Sequence, residues 1–143
     1  MMQPNLVADV MGGFPILGSR VLSAQDLEAA VVTGLPKQAL RLTLARACSS
    51  SRYVRTLLYR VVPEATYKRR TRLTAVESER TERLARVIAM AEFVWDNRDD
   101  AREWLNKPHP ELENRPPIEA ALSELGARRA EELLDRLFYG IPA

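Results

Sequence analysis

Ten basic residues lie between Lys37 and Arg72, and only Glu64 opposes them. Arginine and lysine at that density suit phosphate binding, and a guanidinium can also read a guanine edge through two parallel hydrogen bonds. The densest run is "TYKRRTR", with Tyr67, Lys68, Arg69, Arg70 and Arg72; Arg52 and Arg55 come a little earlier. A solvated basic face, or one docked on the acidic part of another subunit, is the plainer reading of the same charges. Residues for covalent or metal chemistry are scarce. One cysteine, Cys48, and one histidine, His109, cannot assemble a Cys/His zinc site within a chain, and a lone cysteine excludes an internal disulfide. His109 stands between Pro108 and Pro110 with no Ser/His/Asp arrangement around it, so it reads as a surface residue rather than a general base. Gly12-Gly13 is followed by neither a helical pattern nor a Walker lysine, which argues against a phosphate loop. The carboxylates of "ESERTER" alternate with arginine at helical spacing and read as solvated i,i+4 pairs. The chain is therefore not expected to be an enzyme, and no metal or cofactor is expected.

The basic run sits between two acidic segments. Residues 1–36 carry one basic group against three acidic, residues 37–72 ten against one, and residues 73–143 ten against fifteen. The chain as a whole is only +2. One basic segment in an otherwise acidic chain points to a localised anionic partner. The length of 143 residues suits one medium domain or two small ones, and a composition 46% hydrophobic and 28% charged is that of a soluble globular protein. The uncharged stretch from Val10 to Ser19 is far shorter than the ~20 apolar residues a bilayer span needs. No basic residue precedes it, as a secretory signal requires, so the expected location is the cytoplasm.

The elements that must position these groups read as helices, without sustained period-two alternation or an Asn-Gly hairpin turn. "SAQDLEAAVVTG" opens on Ser23 as N-cap and closes at Gly34. "PKQALRLTLARAC" places Leu40 and Leu44 on one face after Pro36. "SSSRYVRTLLYR" starts on a serine cap and spaces Val54, Leu57 and Leu58 helically; "PEATYKRR" begins with Pro63 and Glu64, both favoured at a helix start. Thr74 and Glu77 form a capping box for a long helix whose stripe runs Leu84, Val87, Ile88, Ala91, Val94 and Trp95. "DDAREWL" is a short helix, and Trp95 and Trp104, flanking the turn before it, are expected to pack together. "NKPHPELENRPP", with four prolines, reads as loop. The last helix, "GARRAEELLDRLFYG", directs Ala130, Leu133, Leu134 and Leu137 inward.

The expected class is all-α: an N-terminal arm over residues 1–22, a helix-turn-helix region over 23–73 and a small helical domain over 74–143. In the helix-turn-helix, the "TYKRR" helix is the expected groove reader, with Arg52 and Arg55 clamping the backbone. The chain closes on "LFYGIPA". Leu137 continues the inward stripe, while Phe138 and Tyr139 fall off it. Gly140 then releases Ile141, Pro142 and Ala143 beyond the helix. Such an apolar end is expected either to fold back on its own domain or to enter another protein's pocket.

Several stretches carry a family pattern in order: Glu77-Ser78-Glu79-Arg80, then Trp104-Leu105 with Pro108, then Pro117, Gly126 and Gly140. Over residues 34–143 the chain resembles the Xre/MbcA/ParS antitoxins, whose shared C-terminal domain has an ES-x-R helix, a W-L-x-x-P turn, a proline-initiated short helix and a glycine-terminated last helix. Two departures stand out. "LENRPP" has Asn114 where relatives carry glycine, and "ACSSS" replaces a small "LG" turn. The resemblance implies a type II antitoxin, itself not catalytic, that docks on a RES-domain toxin and obstructs its NAD pocket. Such toxins degrade NAD or transfer ADP-ribose to a protein. It also implies operon repression through the helix-turn-helix, and antitoxin dimers within a larger toxin–antitoxin assembly. The toxin-contacting residues implied are Trp104, Asn106, Lys107, Pro108, Arg136, Phe138, Tyr139, Gly140, Ile141, Pro142 and Ala143. The DNA-contacting set is Arg52, Arg55, Tyr67, Lys68, Arg69, Arg70 and Arg72. A stand-alone DNA-binding regulator with a C-terminal dimerisation domain is the alternative.

Overall fold

Side-chain capping fixes half of the α-helix starts. In the computed structural model, which describes residues 2–140, Ser23, Ser50, Thr74, Asn97 and Ser123 each accept a backbone N–H with the side chain in the turn they open. Ten α-helices follow in order: α1 (Pro4–Val10), α2 (Phe14–Leu17), α3 (Ala24–Thr33), α4 (Lys37–Ala47), α5 (Ser51–Val61), α6 (Glu64–Arg69), α7 (Ala75–Trp95), α8 (Arg98–Asn106), α9 (Pro117–Ala120) and α10 (Glu124–Phe138). A 3-10 turn, Pro110–Leu112, precedes α9. The described residues contain no strand, only isolated bridges at Pro36/Arg72 and His109/Arg115. The fold is all-α.

The long helix α7 is the axis, and α1, α3, α4, α8 and α10 all pack on it. Its stripe of Leu84, Val87, Ile88 and Ala91 is buried, as the spacing predicts. Trp95 instead is exposed in the last turn of the helix, just before Asp96 ends α7 in a left-handed turn, and not in the core expected for it. The same core takes Val7, Val10 and Met11 from α1 and its cap, Leu40 and Leu44 from α4, Leu57 and Leu58 from α5, and Leu134 from α10. The three sequence segments thus meet in one apolar interior. Across residue 73 the chain is stitched tightly: the Leu73 N–H donates to the Leu35 carbonyl at 2.8 Å, and the Leu35 N–H to the buried Ser78 Oγ at 2.9 Å.

The structure revises several local expectations. Gly12-Gly13 is followed by a helix after all, the four-residue α2, although no lysine sits in it. The proline-rich stretch is not plain loop, since Pro110 and Pro117 each start a helical turn where their fixed φ suits and their missing N–H does no harm. The last helix begins at Glu124, two residues before Gly126, under the Ser123 cap. Gly126 serves packing: a Cβ there would collide with the Ala120 carbonyl. Within "ESERTER" and beyond, only Glu82–Arg86 is an i,i+4 pair on the helix. Glu77 pairs with Arg70, Arg83 with Glu124 and Arg86 also with Glu131, so these charges tie separate elements together.

Candidate interaction surfaces

The basic surface rests on α4, α5 and α6. Residues 48–50 make a three-residue turn between α4 and α5, with Ser50 Oγ accepting the Tyr53 N–H at 3.1 Å. Helix α5 buries Val54, Leu57, Leu58 and Val61, which leaves Arg52 and Arg55 on its solvent face. Neither has an ion-pair partner among the described residues. Helix α6 is only six residues long, about 9 Å. On it, Lys68 and Arg69 are exposed, Lys68 pairing with Glu64 at 3.2 Å. Tyr67 is 5% exposed, and its hydroxyl donates to the Lys37 carbonyl at 3.1 Å while Lys37 Nζ donates to the Tyr67 carbonyl at 3.0 Å. Arg70 is paired with Glu77, and Arg72 Nη1 donates to the Gly34 carbonyl at 2.7 Å. The seven residues expected to meet DNA therefore divide. Arg52, Arg55, Lys68 and Arg69 face solvent, while Tyr67, Arg70 and Arg72 hold the joint between α4 and α7. Helices α4 and α5 are joined by a three-residue turn, and α6, the helix expected to be the groove reader, is short and anchored through Tyr67.

Burial alone would raise the Glu77 carboxyl, but the Thr74 N–H and the Arg70 guanidinium outweigh it and hold the carboxyl below its ordinary range. Cys48, a candidate for nothing but packing, has its thiol pushed up to about 12 by burial. His109 turns its Nδ1 inward to accept the Glu111 N–H at 3.0 Å, which makes it a turn-forming residue. Among the described residues, no group of three or more His, Cys, Asp or Glu is placed to hold a metal ion.

The residues expected to meet a toxin fall on two flanks of α10. On one flank, Arg136 Nη2 donates to Glu111 Oε1 at 2.8 Å, and Arg129 reaches Glu113 at 2.6 Å, fixing α10 to the 109–115 turn. Asn114, where the resemblance leads one to expect glycine, and Glu113 beside it both have positive φ, 59° and 55°. Asparagine is the side chain that tolerates this left-handed region best after glycine, so the substitution keeps the turn. Trp104 is half-buried against Leu112, Ala120 and Leu133. Asn106 Nδ2 donates to the Ala47 carbonyl at 2.6 Å and the Arg102 carbonyl at 2.7 Å, a tie between α8 and α4. Lys107 and Pro108 are exposed next to it.

On the other flank, Phe138 lies 5.5 Å from Phe93 and 5.1 Å from Tyr139, ring centre to ring centre. The three rings are 55% (Phe93), 52% (Phe138) and 73% (Tyr139) exposed. Gly140 follows with φ 73° and open space around it. Ile141, Pro142 and Ala143 lie outside the described residues. Phe93 was not among the expected contacts, although a phenylalanine off the buried stripe of α7 was a readable signal. These rings close one end of a groove of about 750 Å³ between α7 and α10, with α1 and α3 as its far wall. Its floor on α7 is apolar, with Met90 and Val94, Leu27 faces it from α3, and Arg86 meets Glu82 at 2.8 Å and Glu131 at 3.0 Å.

Comparison with known proteins gives this geometry a context. Residues 90–140, from the last turns of α7 through α10, match the family described as the antitoxin Xre/MbcA/ParS C-terminal toxin-binding domain. A curated protein of Pseudomonas putida named Antitoxin Xre is 32% identical over 84 residues, covering 56% of this chain and 53% of that protein. The chain spans about half the length of this curated relative. No helix among the described residues is long and apolar enough to cross a membrane.

Proposed function

We propose that this chain is a type II antitoxin that neutralises a RES-domain, NAD-using toxin by covering its active site. The observation that carries the reading is the outer end of α10. There, inside the segment similar to an antitoxin toxin-binding domain, Phe138 and Tyr139 stand exposed on Phe93 instead of packing into the core. Exposed aromatic side chains clustered at one end of a helix are typical anchors of a protein interface. Around that anchor, Trp104, Asn106, Lys107, Pro108 and Arg136 would supply the remaining contacts, and Gly140, Ile141, Pro142 and Ala143 would extend into the toxin. A protein acting by occlusion works stoichiometrically in the cytoplasm, needs no cofactor, and suits an antitoxin dimer holding two toxins. Repression of its own operon is the second part of the proposal, supported by the two unpaired arginines on α5.

The test is growth rescue in cells that also express the cognate toxin, to be sought as a RES-domain protein encoded beside this gene. Wild type is expected to restore growth, and a chain lacking residues 140–143 to restore it poorly while keeping its Tm. Full protection by the shortened chain would remove the tail from the mechanism. No rescue by wild type would end the antitoxin reading.

A further inference from the structure

The groove between α7 and α10 has a character of its own. Six carboxylates line it against two arginines, and both arginines are already neutralised, Arg83 by Glu124 and Arg86 by Glu82 and Glu131. Glu28, Glu79 and Asp135 have no ion-pair partner among the described residues, so the rim carries negative charge over an apolar floor. The exposed aromatic cluster that closes one end, Phe93 with Phe138 and Tyr139, continues that apolar lining. We propose that this groove receives a segment of the toxin that inserts an apolar side chain between flanking lysines or arginines, an inference that rests on the antitoxin reading above. Charge complementarity selects this occupant. A second copy docked groove to groove about a two-fold axis would bring two acidic rims together, which is repulsive. The wall from α1 and α3, with Leu27 and Glu28, lies outside residues 90–140. The groove thus joins a wall from outside the matched segment to residues inside it, and would add contacts beyond that segment to toxin binding.

Calorimetric titration of the full-length protein with the purified toxin that its growth rescue identifies, at low and high salt, tests this. Glu28→Lys combined with Asp135→Lys is expected to weaken binding about tenfold or more at low salt and to flatten the salt dependence. Phe93→Ala is expected to weaken binding about tenfold at either salt. Leu125→Ser, an exposed position outside the groove, serves as control and should match wild type. Circular dichroism and Tm establish that each variant is folded. Folded groove variants that bind as tightly as wild type would overturn the groove while leaving the antitoxin reading in place. Wild type that does not bind at all would overturn both. A Phe93→Ala variant that splits a wild-type dimer without changing toxin affinity would assign the groove to a second copy instead, and so also overturn the proposal.

Discussion

Thr74 and Glu77 show how one pair of side chains can organise a joint. Each satisfies a backbone N–H of the other at the start of α7, at 3.1 Å and 2.9 Å, and Glu77 also takes the Arg70 guanidinium. Because the carboxyl is held below its ordinary value of 4.5 in the folded chain, its contribution to stability is complete above the unfolded value. That contribution is lost as pH falls through the folded one. Replacing Thr74 by Ala should cost about 1 kcal/mol of stability near neutral pH. Glu77→Gln should lower Tm at neutral pH, and the gap to wild type should close on acidification from 4.5 downward. Thermal melts across that range check both. A gap that stays constant with pH would mean that Glu77 acts through shape and not charge.

At the scale of elements, the densest charge and the freest arginines lie on different helices, α6 and α5. The run Lys68-Arg69-Arg70 has the highest charge density, yet α6 is anchored by Tyr67 and too short to lie along a groove. Helix α5 follows a three-residue turn, has a buried face of four residues and presents Arg52 and Arg55 outward. If the protein binds its own operator, the Arg52→Ala, Arg55→Ala double variant should lose at least about tenfold in affinity, with a salt slope reduced by about two. Arg70→Ala should act mainly on stability, through the released Glu77. Mobility shifts over a salt series, read beside Tm, separate the two effects; equal loss of operator binding without loss of Tm for Arg70→Ala would restore α6 as the reader.

For the whole molecule, the N-terminal segment is a structural partner of α7. Val7, Val10 and Met11 are 1%, 2% and 0% exposed, and burying a side chain of that size stabilises by about 1.5–3 kcal/mol. Against a typical net stability of about 5–15 kcal/mol, removing residues 1–22 is therefore expected to lower Tm by about 10 °C or more. Arg46 adds a polar tie in the same region, bridging Glu92 at 2.7 Å and Asp9 at 3.3 Å. A truncated chain that melts with wild type would show α1 to be an ornament on a self-sufficient core.

What the sequence determined by itself is local. Cap residues, prolines and the 3.6-residue stripe of α7 act within a turn or two, so Ser23, Ser50, the Thr74–Glu77 box and the all-α class were legible one-dimensionally. The ordered motifs around Trp104, Pro117 and Gly126 likewise pointed to the segment similar to antitoxins. Tertiary structure decided everything that depends on which faces meet. The spacing of Val7, Val10 and Met11 is helical, but seven residues are too few for propensity to stabilise a helix alone, and only packing on α7 does so. Tyr67, Arg70 and Arg72 looked like free basic-run residues until the chain brought Lys37, Glu77 and Gly34 beside them. The groove and its Phe93–Phe138 contact join residues 45 positions apart with a wall from α1 and α3. No local rule encodes that meeting; it follows from how five helices share the surface of α7.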